Sequence, residues 1–255
     1  MWPYPKVVAH RGGGTLAPEN TLAAMQCGLD RGFRAVEFDV MLSKDGIPVL
    51  MHDPDFGRTV PGPGNVAQTL AADLLRLDAG SWFSTAYAGE NVPTYEMVAL
   101  FCQQNGIWMN VEIKPVPGYE VETGKAVARL TRQLFSAALP ANPSLMQALP
   151  LFSSFSFEAL LSAKEHAPDI PRGFLTDTIQ PDWQQKLQQL NAVALHTNHK
   201  HLTPELASAV KQAGYGLFCY TVNQPDRARE IMEWGVDAFC TDRIDLIAAN
   251  FVDLP

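Results

Sequence analysis

Residues 35–39 read Ala-Val-Glu-Phe-Asp, a short apolar strand pattern that carries two carboxylates near its end. Similar short β-rich runs recur along the chain, separated by longer stretches with helical periodicity. The eight predicted strands are Val7–His10, Ala35–Asp39, Trp108–Lys114, Leu151–Phe155, Arg172–Leu175, Ala192–Thr197, Leu217–Val222 and Asp237–Thr241. Such an alternation of strands and helices predicts βα units built around a parallel sheet.

The intervening segments contain the residues that usually begin helices. The predicted helix starts are Thr21 after Pro18-Glu19-Asn20, Thr94, Ser156 before Phe157–Lys164, and Thr203 before Pro204-Glu205. Eight βα units in about 250 residues favour a closed (β/α)₈ barrel over an open doubly wound sheet. No glycine-rich GxGxxG motif follows the first strand, which argues against a dinucleotide-binding fold.

One segment interrupts this repeat after the second predicted strand. Asp45-Gly46 between two apolar runs predicts a hairpin turn, with Val49–Met51 as the returning strand. Residues 54–92 then exceed the length of an ordinary βα connection, and they include one predicted helix around Leu70–Leu77. We therefore predict one domain over residues 1–255, with a small inserted subdomain at about 54–92. Because it leaves from the carboxyl ends of the strands, the insertion is expected to roof the site.

The composition narrows the classes of function. The chain of 255 residues is 47% hydrophobic and carries a formal charge of −8, without a Lys/Arg cluster. This argues against nucleic-acid binding and against stable association with anionic membranes. No apolar run reaches the roughly 18 residues of a membrane span, and the four cysteines form no CxxC pair. We expect a cytoplasmic protein with reduced thiols, and the sequence leaves a homo-oligomer open.

Charged residues collect near the ends of the early strands, where a barrel would bring them into one cavity. These residues are His10, Arg11, Glu37, Asp39, His52, Glu112 and Lys114. Glu37 and Asp39 are spaced i, i+2, so both side chains point to the same side of their strand. Glu112 and Lys114 repeat that spacing.

The expected chemistry follows from these residue types. Glu37, Asp39 and Glu112 would repel one another unless a cation neutralises them, and an all-oxygen site suits Mg²⁺, Ca²⁺ or Mn²⁺. Arg11 and Lys114 add fixed positive charge suited to a phosphate. The pKa of an unperturbed histidine lies near neutrality, so His10 and His52 are predicted to act as general base and general acid, with either assignment open. Of the other histidines, only His196 also ends a predicted strand.

Several motifs occur together in an order that is typical of a known enzyme family. His10-Arg11-Gly12-Gly13, Val36-Glu37-Phe38-Asp39-Val40 and Val49-Leu50-Met51-His52-Asp53 form an HR…ExD…HD pattern. Further matches lie at residues 17–21, 77–83, 111–114, 220–223 and 241–243. In this order the motifs resemble the glycerophosphodiester phosphodiesterase family, and the short layout resembles its cytoplasmic bacterial members.

The resemblance implies a TIM barrel and one divalent cation, with Mg²⁺ favoured over Ca²⁺ or Mn²⁺. It implies cleavage of a small glycerophosphodiester to sn-glycerol 3-phosphate and an alcohol, as part of glycerol and lipid metabolism. His10 and His52 would be the acid/base pair. Trp82 and Tyr220 would line the glycerol or alcohol side, and Tyr220 stands where relatives often carry Trp. Either water or the neighbouring glycerol hydroxyl could attack phosphorus first.

Three other functions remain open at this stage. A lysophospholipase-D-like enzyme would need an apolar rim near the insertion. A non-catalytic glycerol-phosphate-binding barrel would not need both histidines. A barrel isomerase or aldolase acting on sugar phosphates would normally place a phosphate-binding glycine loop after strands seven and eight. The chain instead has Thr221-Val222-Asn223-Gln224 and Thr241-Asp242-Arg243 there.

Overall fold

The computed structural model describes residues 2–136 and 149–253, so residues 1, 137–148, 254 and 255 of the predicted domain lie outside the described residues. The strands are β1 (Val7–Ala9), β2 (Ala35–Leu42), β3 (Pro48–Leu50), β4 (Trp108–Ile113), β5 (Leu151–Ser154), β6 (Arg172–Thr176), β7 (Ala194–Asn198), β8 (Gly216–Tyr220) and β9 (Ala238–Thr241). The α-helices are α1 (Leu22–Asp30), α2 (Ala71–Leu74), α3 (Tyr95–Gln104), α4 (Glu120–Leu134), α5 (Phe157–His166), α6 (Trp183–Leu190), α7 (Pro204–Gln212) and α8 (Pro225–Glu233).

Eight of the strands close into a parallel barrel. Each is paired with its neighbour in parallel, and β1 completes the ring by pairing with both β2 and β9. Helices occupy the connections between strands, so the predicted (β/α)₈ architecture is confirmed. The remaining strand, β3, runs antiparallel to β2, with Val40 opposite Leu50. It is the predicted return of the hairpin, displaced by one residue from Val49–Met51.

The predicted helix starts are also confirmed, each by a side-chain cap. The hydroxyl oxygens of Thr21, Thr94, Ser156 and Thr203 accept hydrogen bonds from the backbone N–H groups of Ala24, Met97, Ala159 and Leu206. These bonds satisfy N–H groups in the first turn that have no partner within the helix. Local sequence therefore fixes where these helices begin.

Inside the barrel, side chains from alternate strands stack in layers of four. The pairing registers place one layer at Glu37, Ser153, His196 and Cys240. The layer towards the carboxyl ends of the strands consists of His10, Glu112, Leu175 and Tyr220, and the layer on the other side consists of Val8, Asn110, Gly173 and Phe218. Each of these three layers thus contains a polar side chain, and the carboxylates lie in the two layers nearest the carboxyl ends of the strands.

The segment after β3 forms a small packed unit of its own. Val60, Val66 and Leu74 are buried there against Met41 and Val49 of the hairpin. The predicted helix over Leu70–Leu77 is wrong in length, because only Ala71–Leu74 is helical. The backbone beyond it turns away to pair with residues 90–92: Ala79 N–H donates to the Glu90 carbonyl, and Val92 N–H donates to Leu77. Across both described ranges, every helix is too short or too polar to reach through a lipid bilayer.

Candidate active site

Three carboxylates meet at the carboxyl end of the barrel. Glu37 and Asp39 come from β2, and Glu112 lies directly opposite Asp39 on β4. One carboxylate oxygen from each residue lies within 4.8 Å of the others. All three side chains are largely buried, with exposed fractions of 6%, 3% and 13%. The structure therefore brings together the three residues predicted to bind a metal.

Burial and mutual repulsion shape the ionisation of this cluster. Burial raises the pKa of Glu37 to about 7, with the charge of Asp39 adding to the effect. Burial and the charge of Asp39 also raise the pKa of Glu112 well above its ordinary value. The pKa of Asp39 is lowered despite its burial, because Lys114 and Arg11 favour its charged form. A divalent cation would offset the burial and repulsion that raise the pKa values of Glu37 and Glu112, and the all-oxygen donors suit a hard ion.

His10 follows β1 and points one ring edge into this cluster. Its Nδ1 lies 2.6 Å from Asp242 Oδ1, and its Nε2 lies 3.6 Å from Glu37 Oε2. Burial would lower the pKa of His10, but the hydrogen bond to Asp242 and the charge of Glu37 outweigh it, so the pKa is raised. Asp242 is itself held by Asn223, whose Nδ2 donates to Oδ2 at 2.9 Å.

His52 lies on the other side, just after β3. Its Nδ1 is 2.7 Å from Asp53 Oδ1, so it is held in the same manner as His10. Burial lowers the pKa of His52, and the positive charges of Arg11 and Lys114 lower it further, against the opposing effect of Asp39. The two histidines thus have matching carboxylate supports, while their pKa values shift in opposite directions.

The two predicted phosphate-binding cations also border the cluster. Lys114 Nζ lies 3.1 Å from Asp39 Oδ1 and 4.0 Å from Glu112 Oε1. Arg11 Nη1 donates to Glu19 Oε1 at 2.6 Å, and its Nε lies 3.5 Å from Asp39 Oδ2. With exposed fractions of 25% and 18%, both side chains retain access to solvent at the site.

The loop after β1 adopts a constrained backbone. Arg11 has φ +51°, which directs its N–H to Glu37 Oε2 at 3.2 Å. Gly14 has φ +54°, and a Cβ there would lie 2.1 Å from the Asp242 carbonyl oxygen. Only glycine fits such a close approach at a positive φ. The HRGGG segment therefore brings the β1 loop against the residue that supports His10.

Of the two aromatic residues expected to line the substrate, Tyr220 and Trp82, only Tyr220 borders the cavity at the acidic cluster. Tyr220 lines the cavity that contains His10 and Glu112, together with Phe155 at a ring-centroid distance of 5.7 Å. Its hydroxyl donates to the Thr176 carbonyl at 3.0 Å. Trp82 is 41% exposed on the inserted segment, with its Nε1–H bonded to the Ala79 carbonyl. Trp82 is not one of the described residues that line the cavity of His10 and Glu112.

Sequence reasoning missed most of the supporting residues. The sequence places Asn20 only beside a helix start, yet its side chain is hydrogen-bonded to Asp39. Arg58 had no expected role, but its guanidinium donates to Glu19 at 2.6 and 2.8 Å and to Asp53 at 2.5 Å. It ties the insertion to the β1 loop and to the partner of His52. Asp242 lay within a recognised motif without a role, and its position after the last strand was the available signal.

Fold and site together define a barrel enzyme with an acidic, metal-type centre flanked by two carboxylate-held histidines. The model of the glycerophosphoryl diester phosphodiesterase family matches residues 10–246. The chain therefore belongs to that family and is an enzyme of the phosphodiesterase class.

Individual relatives agree over nearly the whole length. A glycerophosphodiester phosphodiesterase of Caldanaerobacter subterraneus is 32% identical over 243 residues, covering 92% of this chain and 93% of the relative. One from Bacillus subtilis is 29% identical, covering 94% and 84%. A phosphodiesterase of Oleispira antarctica, solved in complex with the product sn-glycerol-3-phosphate, is 37% identical with a TM-score of 0.87, covering 98% and 97%.

Proposed function

We propose that the chain hydrolyses small glycerophosphodiesters, such as glycerophosphocholine, to sn-glycerol 3-phosphate and an alcohol. The observation that carries this is the pair of carboxylate-held histidines, His10 and His52, on either side of the acidic cluster. The product named for the Oleispira relative is the one that this reaction would release.

Glu37, Asp39 and Glu112 would hold one divalent cation, with Mg²⁺ as the proposed ion. Their donor set is all oxygen, and Glu37 and Glu112 have raised pKa values that a cation would offset. When bound, the cation supplies Lewis-acid stabilisation of negative charge on the phosphate.

Arg11 and Lys114 would bind the non-bridging phosphate oxygens. Both are cations at the edge of the cluster, and their charges stay fixed while negative charge develops on phosphorus. Glu19 accepts from Arg11 and Arg58, so it would orient the Arg11 guanidinium. Tyr220 would contact the organic part of the substrate from within the cavity, and Trp82 would contact its alcohol side from the inserted segment.

The opposite pKa shifts suggest the division of labour between the histidines. When the environment shifts the pKa values of two groups in one site in opposite directions, the group with the raised pKa suits the role of general acid. The group with the lowered pKa suits the role of general base. His10 would therefore protonate the departing alkoxide, and His52 would take the proton from the nucleophile. Asp242 and Asp53, each on Nδ1, would leave both Nε2 atoms to act on the substrate.

We place this activity in the cytoplasm, within one barrel domain that includes the insertion. The four cysteines are all free in the structure, and three of them are buried. Unpaired thiols are typical of reducing compartments, where disulfides are rare.

The direct test is release of sn-glycerol 3-phosphate from glycerophosphocholine, followed with a coupled dehydrogenase. The protein would be treated with EDTA and then given Mg²⁺, Ca²⁺ or Mn²⁺ separately. We expect turnover that returns with metal and is lost in Glu37→Gln. Glu96→Gln, an exposed acid on α3, is the matched control and should behave as the wild type. A folded protein that releases no product with any of these ions would contradict the proposal.

A further inference from the structure

A small cavity extends from the catalytic residues down into the barrel. Its volume is about 40 Å³, whereas a single water needs roughly 10–15 Å³. His10, Glu112 and Tyr220 form its mouth, and Asn110 and Phe218 form its floor, two layers deeper. The cavity is thus a pocket beneath the reacting centre with room for more than one water.

Two polar atoms in its lining have no partner. Asn110 is 2% exposed and Ser153 is fully buried, yet Asn110 Oδ1 and Ser153 Oγ make no hydrogen bond to any described residue. A buried polar atom without a partner loses its hydration uncompensated, so such atoms normally bind a ligand or an ordered water. Both belong to strands whose neighbouring interior residues are the proposed metal ligands: Asn110 is in register with Glu37, and Ser153 with Glu112.

We propose that Asn110 and Ser153 bind the terminal hydroxyl of the glycerol moiety. This inference rests on the proposed function, which places the phosphate beside Arg11 and Lys114 at the mouth of the cavity. The hydroxyl can donate to Asn110 Oδ1 and accept from Ser153 Oγ–H, which satisfies both atoms at once. The two residues then determine specificity for the glycerol and take no part in proton transfer.

The shape of the cavity decides which half of the substrate enters it. At the floor, the Phe218 ring stacks on His196 with ring centroids 4.6 Å apart, and beyond the floor the rings of Tyr4 and Trp108 stack at 4.5 Å. These rings leave no passage through the barrel for an acyl chain attached to the terminal oxygen. The terminal oxygen of the glycerol therefore has to be free of an acyl chain, and the alcohol leaving group stays on the solvent side.

Binding to the product and to a deoxy analogue tests the assignment. Calorimetry in Mg²⁺ would compare sn-glycerol 3-phosphate with propane-1,2-diol 1-phosphate of matching configuration, which lacks only the terminal hydroxyl. We expect the wild type to bind sn-glycerol 3-phosphate about ten- to a hundredfold more tightly. Ser153→Ala and Asn110→Leu should reduce this ratio about tenfold, because each removes one of the two groups that recognise the hydroxyl.

Ser154→Ala is the matched control on the same strand. Ser154 is also fully buried, but its hydroxyl donates to the Ile113 carbonyl at 2.5 Å, so its loss should leave the ratio unchanged. The Asn110→Leu variant keeps the number and branching of the side-chain heavy atoms, so no truncation cavity is mistaken for lost recognition. Circular dichroism would confirm that each variant is folded.

The second part of the test is an activity assay. Choline release would be compared for glycerophosphocholine and 1-acyl-lysophosphatidylcholine, and we expect only the first to react. Equal binding of the two phosphates by the wild type, as when water fills the cavity, would overturn the proposal, and so would comparable hydrolysis of the lysophospholipid. A protein that discriminates between the phosphates in a Ser153-dependent manner but hydrolyses neither diester would retain the hydroxyl subsite and contradict the proposed function.

Discussion

Asn20 binds Asp39 at two points at once. Its Nδ2 donates to Asp39 Oδ2 at 2.8 Å, and its Oδ1 accepts the backbone N–H of Asp39 at 3.1 Å. Asn20 is 3% exposed and lies in the left-handed region at φ +59°. One buried side chain therefore fixes both the backbone and the carboxylate of a proposed metal ligand, through a loop that precedes α1.

Removing the Asn20 side chain, and with it both hydrogen bonds to Asp39, should weaken metal binding. Groups that orient a metal ligand typically contribute about 10–100-fold to metal affinity. Asn20→Gly removes the side chain while permitting the positive φ, so we expect a loss of Mg²⁺ or Mn²⁺ affinity in this range with the fold retained. Isothermal titration calorimetry measures it. Asn191→Gly is the control, because Asn191 also has a positive φ, at the end of α6. An unchanged affinity in Asn20→Gly would show that Asp39 needs no support.

Metal binding should also depend steeply on pH. Because the pKa of Glu37 is about 7 and that of Glu112 is raised well above normal, both carboxyls keep protons near neutrality in the metal-free protein. A cation has to displace those protons, so the affinity for the cation should rise as the pH increases through about 7. At lower pH the affinity should be weaker. Calorimetry in two buffers of different ionisation enthalpy counts the released protons. Affinity that is constant between pH 6 and 8, without proton release, would contradict this prediction.

The two histidine supports should control opposite limbs of the pH–rate profile. If His10 is the acid, kcat/KM falls as pH rises through its raised pKa, and Asp242→Asn should lower that pKa and move the alkaline limb to lower pH. If His52 is the base, kcat/KM rises as it loses its proton. Asp53→Asn should lower the pKa of His52 further and move the acidic limb to lower pH.

Complete pH profiles of both variants decide the assignment. Each variant serves as the control for the other, since both lose one carboxylate bonded to a histidine Nδ1. A shift of the acidic limb in Asp242→Asn would reverse the proposed roles of the two histidines.

Much of the fold could be predicted because its signals are local. Thr21, Thr94, Ser156 and Thr203 each cap a helix through a contact three residues away, which a sequence displays directly. The clustering of Glu37, Asp39 and Glu112 also follows from sequence, because the carboxyl ends of parallel strands meet at one end of a barrel.

The supporting contacts were harder to predict because they join distant parts of the chain. His10 and Asp242 are 232 residues apart, and Glu19 and Arg58 are 39 apart. Nothing in the local pattern around Asn110 or Ser153 shows that these polar residues face the barrel interior without a partner. Such contacts depend on the register of the closed sheet, which hydrophobic periodicity does not specify. The predicted length of helix α2 is too great for the same reason. Pairing of the following backbone with residues 90–92 overrides local helix propensity.

The interior also yields a stability prediction that links Gly173 to His196. A Cβ at Gly173 would lie 2.4 Å from His196 Nε2, and the histidine is fully buried and stacked on Phe218. Gly173→Ala should therefore overpack the barrel and lower the free energy of unfolding by about 1–3 kcal/mol. In a His196→Ala background the same substitution should cost much less, because the space occupied by the ring is then free. Urea denaturation of the wild type, both single variants and the double variant completes the cycle. Additive effects would show that the glycine is not required to accommodate the histidine ring.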